Sequence, residues 1–186
     1  MTLHRNAPRG VAAIAAVVLT GMFAASTLSG CAPTPEPTPT PTAAFASEEE
    51  AFAAAEEVYR EYIDALNAID PADPASFEPV FDLSSGSFET ADRENLSLMH
   101  AEEHRIEGAA KVVSFRGEGA SVLFDEVTAV VCLDVHEVQI TDSSGNSLIS
   151  PNRPDVYAIL VTFVHSHRKL TINKAERVED PECTSS

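Results

Sequence analysis

The chain has no tryptophan, only twelve basic residues against twenty-nine acidic ones, three cysteines and eight glycines. Each scarcity excludes something. With so few Lys and Arg there is no basic patch interleaved with aromatics. The net negative field repels a polyanion, so nucleic acid is not expected among the partners. The glycines form neither a phosphate-cradling loop nor a Gly-x-Ser-x-Gly elbow, and no cofactor is expected. No uninterrupted apolar run reaches the roughly 20 residues a spanning helix needs. Val11 to Phe23 is apolar but gives way to Ala24, Ala25, Ser26, Thr27 and Ser29.

What is present at the N-terminus is an address. Arg5 and Arg9, the apolar stretch and the small residues before Cys31 are the three parts of an export signal, so residues 1–30 read as a leader that is removed. Leu28-Ser29-Gly30-Cys31 resembles a bacterial lipobox: an aliphatic residue, two small ones and a cysteine. The resemblance implies that the Cys31 thiol takes a diacylglyceryl group and that Cys31 becomes the new N-terminus, with palmitate-type chains in the bilayer. Each buried CH₂ contributes about 0.8 kcal/mol, and a second chain turns marginal binding into stable anchoring. The alternative is an ordinary secretory signal with an incidental cysteine.

Pro33 to Thr42 alternates proline with Thr or Glu. Proline fixes φ and removes the N–H donor, so the segment is expected as extended polyproline II, roughly 30 Å for ten residues at about 3.1 Å each. Residues 31–46 thus read as lipidated cysteine plus tether, holding a domain off the outer face of the cytoplasmic membrane. A Pro-rich ligand for an SH3-like groove and O-linked glycosylation of the threonines are other uses of such a tract.

Residues 47–183 have the length of one domain, with 184–186 as a tail. Once the leader is gone, ten basic residues face twenty-nine acidic ones. With Cys31 acylated, Cys132 and Cys183 remain, an even pair on the oxidising side of a membrane, where a disulfide is expected. Two unpaired thiols are the alternative.

Ser47-Glu48-Glu49-Glu50 is a capping box. After it Phe52, Ala55, Tyr59, Tyr62, Leu66 and Ile69 recur at spacings of three and four, which predicts a long amphipathic helix ended before Pro71. Pro71, Pro74 and Pro79 leave a turn and a short helical piece around Phe77 to Phe81. A second helix is expected from about Phe88 to His104, burying Phe88, Leu96 and Met99 and ended by Gly108. The period then changes to two. Lys111 to Phe115 reads as a strand with Gly117-Glu118-Gly119 as its turn. Glu126 to Asp142 reads as one long strand with a bulge or bend near His136, and Asp142 to Asn146 as a turn. Val156 to His165 and Leu170 to Val178 complete about four strands. Helices followed by a curved antiparallel sheet give an α+β class, with the long helix packed on the sheet.

On Ala55-Glu56-Glu57-Val58-Tyr59, the broken helical region and the long bent strands, the chain resembles the NTF2-like (SnoaL-like, cystatin-related) α+β cone. As a whole it is similar to small actinobacterial lipoproteins built as lipobox, Thr-Pro tether and one such domain, most tellingly in Val131-Cys132-Leu133-Asp134-Val135 and Arg153-Pro154-Asp155-Val156. Members of that fold include enzymes, adaptors and accessory domains, so the resemblance implies a fold and not a function.

Three constellations could carry chemistry. His100 and His104 flank Glu102-Glu103 at helical i, i+4 spacing, a pattern that can bind Zn²⁺ and that matches an H-x-x-E-H string; an exposed polar helix end is the alternative. His165-Ser166-His167, beside Arg168 and Lys169, reads as a solvated turn. Asp134 and His136 are two apart on one strand, and if their face lined the mouth of a cone they could abstract a proton with Tyr59 or Tyr62; otherwise they are outward polar residues alternating with Leu133 and Val135. The expected function is a lipid-anchored, non-enzymatic domain binding a small-molecule ligand or an envelope protein, with no metal site. A small isomerase- or hydrolase-type enzyme, or a zinc site at His100 and His104, is the alternative.

Overall fold

A computed structural model describes residues 42–166 and 169–183. The leader, Cys31, the tether as far as residue 41, His167, Arg168 and the last three residues lie outside that range.

Among the described residues the order is three α-helices and then six strands. Helix α1 runs Glu48–Asn67. Its N-cap Ser47 has extended backbone and accepts from the Glu50 N–H at 3.2 Å, while the Glu50 carboxylate reaches back to the Ala46 N–H at 2.9 Å. Three glutamates in the first turn suit the positive end of the helix dipole. The buried stripe is Ala51, Ala55, Tyr59, Tyr62 and Ile63; Phe52 and Leu66 pack half-buried at its flanks, and Ile69 falls beyond the helix. A 3₁₀ turn, Pro74–Phe77, leads into α2, Glu78–Leu83. Helix α3 spans Gly86–Ala101, with Leu96 buried.

Helix α3 therefore stops short of His104. Glu103 takes a left-handed φ of +55°, and strand β1, Arg105–Glu107, starts at once. Gly108 ends no helix: it turns the chain from β1 towards β2 at φ +80°, where a side chain would collide with the Glu137 carbonyl.

Strand β2 runs Lys111–Ala120, straight through the Gly117 and Gly119 expected as a turn. Gly117 is there because the Phe52 ring lies where its Cβ would be, 2.5 Å away. The real turn is Ser121–Asp125. Strand β3 is Glu126–Asp134 and β4 is Gln139–Thr141, so the one strand expected to Asp142 is two, broken at Val135–Val138. β5, Val156–Ser166, and β6, Lys169–Val178, finish the chain. The sheet β2-β3-β5-β6 is antiparallel throughout, with bulges in β2 and at Thr162/Phe163, and β1 pairs β4 as a separate ribbon. The protein is thus mixed α+β, with helices packed on antiparallel sheet.

All three helices lie on one face of the sheet. Val127, Ala129, Val131, Val161, Phe163 and Ile172 from that face meet the α1 stripe in the core. On the other face, Cys132 and Cys183 stand at disulfide distance with Cα atoms 5.2 Å apart. Beside them Arg116 gathers three carboxylates: Glu118 at 2.8 Å, Asp180 at 2.7 Å and Glu182 at 2.6 Å.

Candidate functional site

A cleft of about 840 Å³ opens where the loop after α1 faces the end of α3 and strand β1. Local chemistry fixes both walls. On one side, the Asn67 side chain exchanges two hydrogen bonds with the Ala110 backbone, at 2.9 and 2.8 Å, and locks the end of α1 to the approach of β2. Asp70 Oδ1 accepts from the Ala72 N–H at 2.9 Å, closing the turn at Pro71. On the other, His100 Nδ1 lies 2.7 Å from the Pro71 carbonyl. A carbonyl only accepts, so Nδ1 is the donor in this contact.

His104 also lines the cleft, but differently. Its side chain is 11% exposed, with Nε2 2.9 Å from Glu102 Oε2; Nδ1 is buried without a partner. Because α3 ends at Ala101, the two imidazoles do not share a helix face, and the i, i+4 geometry required for a zinc pair is not formed. Among the described residues no group of three His, Cys, Asp or Glu is arranged to hold a metal ion. The cleft also carries Asp70, Glu103 and Glu107 against Arg105, over the apolar Ile69 and Ile106.

The other candidate site is dispersed. Asp134 is the last residue of β3 and shares the parity of Cys132, on the face away from the helices. His136 lies past the strand, in the turn, half exposed. Asp134 Oδ1 accepts both the His136 backbone N–H at 2.9 Å and Nδ1 at 2.7 Å. These two bonds, the backbone one first, hold the Asp134 carboxyl below the usual carboxylate range. The pair closes a turn. Tyr59 and Tyr62 are buried on the opposite side of the sheet, where burial pushes both phenols up, so the four residues do not converge. His165 stacks edge-to-face on Phe45 at 5.6 Å.

Two groupings have no sequence signal. Tyr62 on α1 donates to Asp92 Oδ1 on α3 at 3.0 Å, and Asp92 Oδ2 is buried with no partner. Burial raises the Asp92 carboxyl above its usual range, against the hydrogen bond from Tyr62 that pulls it down. The second grouping is the Arg116 cluster, two of whose three partners, Asp180 and Glu182, sit more than sixty positions away in sequence. Nothing local in a helix or strand pattern marks either.

No family model matches this chain, and no curated protein does. Among solved structures, the intermembrane-space region of the chloroplast protein ARC6 superposes with a TM-score of 0.51 at 9% identity, over 69% of this chain and 97% of that one. A Novosphingobium aromaticivorans protein assigned provisionally as an aromatic ring hydroxylase gives 0.48 at 10% identity, over 71% and 96%. A de novo designed β-sheet protein gives 0.33 at 14%, over 71% and 90%. At this identity the first likeness speaks to the fold alone, and the other two carry no argument.

Proposed function

We propose that this chain is a lipid-anchored protein of the cell envelope, held through Cys31 and its Pro/Thr tether at the outer face of the cytoplasmic membrane, whose NTF2-like α+β domain binds a small molecule or another envelope protein rather than catalysing a reaction. The observation that carries the choice of binding over catalysis is the separation of Asp134 and His136 from Tyr59 and Tyr62 by the sheet itself. Proton abstraction needs an acid–base group within hydrogen-bond reach of the reacting atom. Here the acid–base pair closes an exposed turn while the phenols are sealed in the core. The cleft beside His100, with walls fixed by side chain to backbone bonds, is the binding site under this reading; its volume lies within the range usual for small-molecule sites.

The anchor is tested by detergent-phase partitioning of the exported protein. Wild type is expected in the detergent phase and Cys31→Ser in the aqueous phase. Equal partitioning of the two would refute the lipidated cysteine and with it the location.

A further inference from the structure

The sheet face turned away from the helices carries exposed Ser114, Arg116, Lys174 and Glu176, yet it holds a dry strip. No helix among the described residues covers it, yet Val130, Cys132 and Ala158, all of one parity on β3 and β5, are 8%, 2% and 7% exposed. The described segment that crosses this strip is the chain after β6. Val178 pairs with Ala158, and Ala158 with Cys132. From Val178 the tail Glu179–Cys183 turns back across this row, reaching Cys132 on β3 and Arg116 on β2.

The tail is held at few points. Among the described residues it makes no backbone hydrogen bond to the sheet; its bonds are internal, Cys183 N–H to the Asp180 carbonyl and Glu182 N–H to Asp180 Oδ1. Its attachments are the disulfide and the two ion pairs to Arg116, a side chain 45% exposed. Glu182 is 74% exposed and Asp180 10%; ion pairs to a cation this open to solvent return little free energy, and holding five residues in one conformation costs more than two such pairs supply. The disulfide therefore decides whether the tail stays down. The helix-side core, Val127, Val131, Val161, Phe163 and Ile172, lies on the other face and has no part in the fastening.

We propose that Glu179–Cys183 is a redox-released strap: reduction of Cys132–Cys183 by a dithiol frees it and bares the Val130–Cys132–Ala158 strip while the α+β fold persists. The chemistry is ordinary exchange. One thiolate of the dithiol attacks the Cys183 sulfur, since Cys183 is half-buried and Cys132 sealed; Cys132 leaves as a thiolate and takes up a proton. The second thiol of the reagent then resolves the mixed disulfide, releasing the Cys183 thiol. Two electrons pass to the protein, and the reagent departs as its cyclic disulfide.

The test treats the full exported chain with dithiothreitol under native conditions, then follows maleimide labelling of Cys132 and Glu-specific proteolysis after Glu179 and Glu182, with far-ultraviolet circular dichroism as a fold control. Expected are labelling of Cys132 within a few fold of the Cys183 rate, at least tenfold faster cleavage in the tail, an unchanged dichroism spectrum, and return of protection on reoxidation. The double change Cys132→Ser with Cys183→Ser should show the same cleavage without reductant. A bond that resists native reduction, a reduced protein whose Cys132 stays unlabelled, or a dichroism spectrum that collapses together with tail protection would each overturn the proposal.

Discussion

Burial between α1 and α3 puts a carboxyl where water cannot serve it. Asp92 is held above the usual carboxylate range by desolvation, in spite of the bond from Tyr62. The folded state thus binds this proton more tightly than the unfolded chain does. The stabilisation is fully present below the unfolded pKa, roughly 3.9, and is lost as pH rises through the folded value. Asp92→Asn removes the charge and leaves an acceptor for Tyr62. It should match or exceed wild type in Tm at pH 7.5 and lose that advantage near pH 4. Thermal melts at both pH values check this, and a larger loss at pH 7.5 than at pH 4 contradicts it. Tyr62→Phe strips the Tyr62 hydrogen bond from a half-buried carboxylate and should cost about 1–3 kcal/mol. His100 and His104 make a separate prediction. Because α3 ends at Ala101, the rings lack the i, i+4 pairing, and among the described residues no third ligand joins them, so the purified protein should hold no stoichiometric zinc; elemental analysis finding one zinc per chain, lost with His100→Ala plus His104→Ala, would reverse that.

Among the elements, the start of α1 was readable because a cap is a local device: Ser47 and Glu50 lie three apart and bond within one turn. The same holds for the turn at Asp142, whose Oδ1 accepts from Ser144 and Asn146. Gly117 was misread for the opposite reason. Glycine is punctuation when the backbone needs left-handed φ, but here it makes room for a ring sixty-five positions earlier in the chain, which no local pattern records. The strand break at Val135–Val138 falls at the bend expected near His136, yet Asp134 there closes the His136 turn, which takes the candidate site out of any cone mouth. Asp92 reads in sequence as one polar residue among many on an amphipathic helix, and Arg116 as one more strand cation. Gly117→Ala should force the Phe52 ring aside and destabilise the protein by about 1–3 kcal/mol. Adding Phe52→Ala should cost less than its effect in wild type, a coupling that a double-mutant cycle by denaturant unfolding measures; additive costs would mean that the close approach is not the reason for the glycine.

At the scale of the whole molecule, the helices cover one face of the sheet and a covalent loop governs the other. Cys132 and Cys183 are 51 positions apart, and closing a loop of that size removes unfolded-state entropy worth roughly 4 kcal/mol at most. The double change Cys132→Ala with Cys183→Ala should lower Tm by roughly 10–15 °C in scanning calorimetry, and a drop of only a degree or two would show that the unfolded chain gains little from being cut free. The Tyr62–Asp92 bond also shapes how such melts can be watched. The chain has no tryptophan and three tyrosines, so its ultraviolet emission is tyrosine emission. A phenol bonded to a carboxylate is quenched, because its excited state hands the proton over. Tyr62 is therefore dark while α3 is docked on α1 and brightens when they part, whereas Tyr157, under the Arg177 guanidinium at 3.6 Å, reports on the sheet. Emission and dichroism that rise and fall at one temperature would mean that helices and sheet let go together; two temperatures would resolve the layers as separate cooperative units, in a protein that carries its own dye at the seam.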